Sequence, residues 1–350
     1  MSPYLKVGYV PYVSDLNSPG DRRRFCYYAK KRGIEFEIAD PARPYDLVVL
    51  STQADLSVWS YRPKRARRII FDLPDSYLGT GASLAERIKA PVKYLTGRWQ
   101  RFEWRFEKAL LRMCSSADAV ICSTPEQRKV LLVHNPEVRD ILDFHAEEIS
   151  VRKTDLSGHT PFRIVWEGVG NSLFGLSTVS EALGRLSHEH RVELHILTDL
   201  RFRRLNSPFE ACARKVVDRQ LPGISSFLYQ WNRAFFSEIV TGCDLAIIPA
   251  ETRNLMVAAK PENRLLLFWR MGLPALTSHT PAYARVMDAA GMRGTCANSD
   301  EWYDSLARYL LDQEARGHNL HQGRRYLEHN CSEEQLLQRW DNLFQTLLGS

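Results

Sequence analysis

The chain has 350 residues, 44% hydrophobic and 25% charged, which are globular values and exclude a low-complexity or fibrous protein. That length is long for one core and comfortable for two domains. A net charge of +6 suits an anionic partner (phosphate, lipid headgroup or nucleic acid) but is too small to name one.

In chain order, residues 4–10 read as a first strand, and 11–21 as a loop rich in turn formers. Residues 22–32 read as a helix stopped at Gly33, and 34–39, 46–51 and 69–71 as strands, the last leading into Asp72-Leu73-Pro74-Asp75. A long helical region is predicted from about Ser83 to Met113, broken early by Pro91 and Gly97. Residues 119–123 form a strand, 125–133 a helix and 140–144 a last short strand. The polar segment 146–161 reads as a linker. A second series follows: strand 162–166, turn 167–171, helix 173–187, strand 192–197, helix 209–219, strand 227–231, helix 234–242 and strand 245–248. Then come a polar loop, 251–254, a helix whose first turn holds Pro261, a stop at Gly272, and strand 275–277. Helices at 283–290, 301–314 and 333–348 complete the chain. Strands alternating with helices imply parallel, doubly wound sheets in an α/β protein. The expected domains are 1–150 and 151–330, with 331–350 as a C-terminal helix.

No signal sequence opens the chain, and no apolar run approaches the ~20 residues that span a bilayer. A cytoplasmic protein is expected, with room for a peripheral place at the inner face of the membrane. Seven cysteines without a C-x-x-C pair read as buried thiols rather than disulfides or zinc ligands, and no metal site is expected.

Four stretches carry a resemblance: residues 117–123 (ADAVICS), 162–176 with its glycine turn, 243–249 (CDLAIIP) and 263–278, ending MGLPALTS. In their order and spacing they resemble the GT-B glycosyltransferases, in particular the family-4-like group. The resemblance implies two Rossmann-like domains facing across a cleft, an acceptor side first and a nucleotide-sugar side second. It also implies that the C-terminal helix packs back toward the first domain. The implied activity is transfer of a hexosyl unit, without a metal or other cofactor, from a UDP- or GDP-sugar to a glycan or lipid-linked acceptor, as in polysaccharide biosynthesis. The family commonly carries two glutamates eight residues apart on the donor helix, and those positions are Ala259 and Leu267 here.

Candidate donor-binding residues follow from chemistry that must stabilise a departing diphosphate. Lys260 at a helix start is unfavourable unless an anion compensates. Glu262 and Asn263 beside it, and Glu251 in the preceding loop, offer hydrogen bonds to hydroxyls. Gly168, Gly170 and Asn171 occupy a strand-to-helix turn where backbone can approach phosphate; an ordinary tight turn is the other reading. Thr198 ends a strand, and Arg201 and Arg204 follow it as a second clamp or as solvated cations. On the first domain, Asp15, Asp72 and Asp75 are candidates for the base of an inverting transfer. Asn17, Gly20 and Arg22 shape a loop that meets acceptor or phosphate, while Asp21 reads as a helix cap. Arg98, Arg101, Arg105, Lys108 and Arg112 follow spacings of 3, 4, 3 and 4, beside an aromatic stripe. One helix face would then present cations to an anionic membrane surface or polyanion, against the plainer reading of a solvated flank. Two other functions stay open: a DNA glycosyltransferase, and a non-catalytic nucleotide-sugar-binding module.

Overall fold

The computed structural model describes residues 5–75, 84–204 and 209–349, with side chains from 89 onward in the second stretch. Tyr4 and Ser83, the expected starts of the first strand and the long helix, lie outside them. The chain divides into two units, residues 1–144 with 333–350, and residues 145–332. The division falls six residues before the expected boundary.

Unit 1 holds a six-stranded, wholly parallel sheet. Its strands are β1 (Val7–Val10), β2 (Phe36–Ile38), β3 (Tyr45–Leu50), β4 (Ala66–Asp72), β5 (Ala119–Cys122) and β6 (Val138–Asp140), in the order β2-β1-β3-β4-β5-β6. The last strand thus precedes the expected 140–144. β3, β4 and β5 are buried along most of their length, as their unbroken apolar runs require of a sheet covered on both faces. One face packs Val48, Leu50, Ile69 and Phe71 against Trp59, Trp99, Phe106 and Met113. On the other side, Phe25 and Tyr28 meet Trp340 and Phe344 of the C-terminal helix, with Tyr28 stacked 5.2 Å from Trp340. Each such fully buried large side chain contributes about 1.5–3 kcal/mol. The Arg32–Asp341 ion pair (2.7 Å) and Arg339–Asp140 (3.2 Å) fix the same helix.

The long helical region is two helices, Leu84–Leu95 and Phe106–Ser116. Gly97 turns left-handed at φ 70°, and the N–H groups of Arg98 and Trp99 fold back to the Lys93 carbonyl (2.8 and 3.1 Å), closing the first helix. Residues 98–105 are therefore not helical. The five cations spaced 3, 4, 3 and 4 do not share a helix face. Arg98, Arg101 and Arg105 lie on the connection, Lys108 and Arg112 on the second helix.

Unit 2 holds a second six-stranded parallel sheet and a two-stranded hairpin. Its strands are β7 (Phe162–Glu167), β8 (Val192–Thr198), β9 (Arg201–Arg203), β10 (Glu210–Cys212), β11 (Ser226–Gln230), β12 (Leu245–Ile248), β13 (Ala275–Ser278) and β14 (Thr295–Cys296). The sheet order is β11-β8-β7-β12-β13-β14, and β9 pairs antiparallel with β10. The chain therefore runs outward from β7 in one direction and from β12 in the other. Ligands of open α/β sheets bind outside the carboxyl ends of the strands at such a reversal. In unit 1 the reversal lies between β1 and β3.

The short elements at 201–203, 255–258 and 295–296 escaped the sequence reading, and so did two larger features of unit 2. Residues 210–212 are a strand, where a helix was expected to run from 209. Residues Gln313–Asn330 form the longest helix described, 18 residues, in a polar stretch given no element. Buried Asn319 explains its place: its Oδ1 accepts from Trp269 Nε1 (3.1 Å) and Ala275 N (3.2 Å), and its Nδ2 donates to Ala275 O (3.2 Å). Gly323 leaves room for the Trp269 ring, 2.4 Å from where a Cβ would stand.

Gly272 ends the helix Asn263–Arg270 and its cap at φ 82°, with Lys153 O 2.3 Å from the place of a Cβ. Strain and backbone overlap combine, so Gly272→Ala is expected to cost about 3 kcal/mol or more. Urea titration of the unit 2 transition measures it; a loss below about 1 kcal/mol would contradict this geometry.

Candidate functional site

The carboxyl end of β7 is the centre of the site. Gly168 follows the strand and donates its N–H to Leu197 O (3.2 Å). A Cβ there would stand 2.9 Å from the Trp166 ring and 3.3 Å from Arg264 Nη1. Glycine is needed first for the Trp166 ring; the Arg264 guanidinium also lies at this turn, donating from Nη1 to Glu167 O at 2.8 Å. Arg264 comes from the first turn of the helix Asn263–Arg270, next door to β12 at the reversal. Sequence reasoning assigned it no role. Its signal was its place in Lys260-Pro261-Glu262-Asn263-Arg264, four residues after the favoured lysine.

Lys260 reaches the same turn from the other side. Its Nζ lies 3.4 Å from the hydroxyl of Ser172, in the 3-10 helix Gly170–Thr178 that follows β7. The structure thus brings Lys260, Arg264, Ser172 and Gly168 together. Thr198, at the end of neighbouring β8, is fully buried, and its hydroxyl has no partner among the described residues. Burial raises Tyr283, and the charge of nearby Arg264 opposes the shift.

Other donor candidates have different engagements. Glu262 is buried at the N-cap position of the helix Asn263–Arg270, where its side chain makes no capping bond, and its Oε1 pairs with Arg285 at 3.0 Å. Pro261 stands before that cap rather than in the first turn. Asn263 is the first helical residue and half-buried. Gly170 donates its N–H to Asp199 Oδ2 (3.1 Å), and a Cβ would lie 2.2 Å from Phe202. This glycine serves the packing of the β9–β10 hairpin, and it does not hold an open N–H for phosphate. Asn171 donates to Arg203 O (3.0 Å) on the same hairpin. Arg201 is exposed and pairs with Glu210 (3.4 Å), and Arg204 lies over the Phe174 ring at 4.5 Å. Glu251 is exposed, accepts from Arg253 N (3.2 Å), and borders a cavity of about 270 Å³ shared with Ser177, Thr178, Ser278 and Asn298. Ala259 ends a short helix, and Leu267 is buried in the core face of the next one.

In unit 1 the loop after β1 closes on Asp21, which is buried and accepts from Tyr9 Oη (2.7 Å), Tyr12 N (2.8 Å) and Val13 N (3.2 Å). The helix cap is Ser18, not Asp21. Asp15 is exposed and accepts from the N and Nδ2 of Asn17 (3.1 and 3.2 Å), bonds that hold its carboxyl below the usual carboxylate value. A Cβ on Gly20 would strike the Tyr12 ring at 2.5 Å, and Arg22 Nε donates to Asn17 O (3.1 Å).

Asp72 does not stand free to act as a base. Both its oxygens accept from Arg24, at 2.7 and 2.6 Å, and both side chains are buried. Arg24 also donates to Ile141 O and to Asp143. Burial raises the Asp72 carboxyl and the Arg24 charge opposes the shift. Asp75 is exposed, and its backbone carbonyl accepts from Gln127 Nε2 (3.0 Å). Among the described residues, no three His, Cys, Asp or Glu side chains gather as a metal-ligand set, and no helix is long and apolar enough to cross a membrane.

No known family's sequence profile matches the chain, and no curated protein does. Solved structures do resemble it. HepE of Anabaena, solved with UDP and glucose, superposes with a TM-score of 0.64 at 11% identity, covering 98% of this chain and 100% of that one. A mutant of S. aureus TarM, solved with fondaparinux, α-GlcNAc-glycerol and UDP, gives 0.57 at 12% identity over 91% of this chain. The pneumococcal O-GlcNAc transferase GtfA, solved with UDP and GlcNAc, gives 0.56 at 16% over 87%. The chain spans 57% of the length of TarM and of GtfA. These likenesses define the class of the fold: two Rossmann-like units of the kind found in GT-B glycosyltransferases.

Proposed function

We propose that this protein is a glycosyltransferase that holds the diphosphate of a nucleotide sugar at the carboxyl end of β7. The carrying observation is the convergence of Lys260 and Arg264 on the turn after β7, where the strand order reverses. Both cations are half-buried, so their field on an anion is less screened than that of a surface lysine. Charge that develops on a departing diphosphate is stabilised by fixed cations. On this reading the transfer needs no metal, the sugar is a hexosyl unit, and the acceptor is a hydroxyl of a glycan or lipid-linked saccharide. UDP in three similar solved structures makes UDP-sugars the first donors to test.

One observation favours a second reading, a nucleotide-sugar-binding module without turnover. Leu267 is buried in the core at a position where the family commonly carries a glutamate. A thermal-shift screen of UDP, GDP and their sugars, followed by an assay of nucleotide release, separates the two. Stabilisation with release supports the transferase, and stabilisation without release supports the module. No stabilisation by any nucleotide would overturn both.

A further inference from the structure

We propose that residues 92–108 of unit 1 form a docking surface for an anionic lipid bilayer. The break at Gly97 gathers an apolar cluster on the surface. Phe102 meets the Tyr94 ring edge-to-face at 5.5 Å and the Trp104 ring at 4.9 Å. Trp104 is 77% exposed and Leu95 79%, and Val92, Tyr94 and Phe102 are exposed beside them. Monomeric surfaces seldom gather side chains of this size in one place without a partner.

The charges around the cluster say which partner. Arg98, Arg101, Arg105 and Lys108 are all exposed, and none pairs with a carboxylate among the described residues. Of the two acids between 98 and 108, Glu103 is taken by Arg112, leaving Glu107 against four cations. Arg112 itself has withdrawn to Ser60 Oγ (2.9 Å) and the Tyr61 ring. Burial, with Lys89 and Arg98 adding to it and Asp55 opposing, pushes the buried Lys93 ammonium down to about 8.

Cations next to rings serve nucleic acid as well as lipid, but two features favour the bilayer. Leu95 and Val92 are aliphatic and have no face on which a base can stack. The three rings meet edge to face and are not laid side by side as stacking partners for successive bases. Tryptophan and tyrosine settle at the headgroup level, and each nearby cation gains about 1 kcal/mol against an anionic leaflet. Membrane anchoring takes two signals, and this surface carries both. The proposal stands on unit 1 alone and does not depend on the donor site.

The test is flotation of the full chain with vesicles of phosphatidylcholine alone or mixed with phosphatidylglycerol, at low and high salt. Binding is expected to the mixed vesicles only. Charge reversal at three positions (Arg98→Glu, Arg101→Glu, Arg105→Glu) should weaken it by about a hundredfold or more. The pair Leu95→Ser, Trp104→Ser should abolish the fraction that survives high salt. All five side chains are exposed, so melting temperatures should stay unchanged, and that control separates lost docking from lost folding. Absence of flotation with anionic vesicles overturns the proposal. So does flotation that neither variant reduces. Salt-dependent binding to duplex DNA, unaffected by the Leu95 and Trp104 changes and without vesicle binding, would assign the cations to nucleic acid instead.

Discussion

Asp72→Asn is expected to destabilise unit 1 by about 3–5 kcal/mol, the usual cost of removing one member of a buried ion pair. Arg24 is 1% exposed and Asp72 2%, so water cannot replace the lost carboxylate. Asp143, at 2.9 Å, remains on Arg24 Nη1, but an asparagine keeps one acceptor oxygen and turns an NH2 group to the other donor, so one of Nε and Nη2 loses its bond. For a unit of this size the loss lowers the melting temperature by on the order of 10 °C. Replacing the pair together, Arg24→Met with Asp72→Leu, should recover much of it, because the desolvation of both charges disappears. Calorimetry of the three proteins measures this. A base role makes the opposite demand: Asp72→Asn would then remove turnover and leave the melting temperature in place.

What the sequence disclosed follows from the range of the interactions involved. β3, β4, β5, β12 and β13 are legible because a parallel strand covered on both faces must be an apolar run, a local property. Lys260 is legible for a similar reason, since a lysine next to Pro261 near a helix start is a local anomaly. Partners set far apart are not legible. Glu262 looked available until Arg285, 23 residues on, claimed it. Gly170 and Asn171 looked like a phosphate loop, but Asp199, Phe202 and Arg203, about 30 residues later, use them. Asp72 and Arg24 are 48 residues apart. The helix Gln313–Asn330 was missed because its buried side chains include Arg316 and Asn319, where periodicity looks for apolar side chains. The cationic stripe failed through one glycine: regular spacing implies a shared face only while the helix continues, and Gly97 ends it.

The second large effect concerns Arg264. Its guanidinium is fixed by the 2.8 Å bond to Glu167 O, so little reorganisation is needed when charge appears at the turn. Its remaining donors are those the proposed diphosphate would engage. Removing such a preorganised donor costs about 10²–10³ in kcat, so Arg264→Ala is expected to fall in that range. Arg264→Lys should recover only part of it, because a lysine cannot hold Glu167 O and present a fork at once. Lys260→Ala should act mainly on binding, raising the nucleotide Kd about tenfold, the loss of one charge-assisted bond to phosphate. Gly168→Ala tests the same geometry: a Cβ would stand 2.9 Å from the Trp166 ring and 3.3 Å from Arg264 Nη1, so the ring must shift and the guanidinium give by a few tenths of an ångström, which should lower turnover in the direction of Arg264→Ala and by less. Calorimetric titration with UDP and steady-state rates with the donor found in the screen provide the readouts. If Lys260→Ala and Arg264→Ala both bind nucleotide as the unaltered protein does, the diphosphate does not lie at the end of β7.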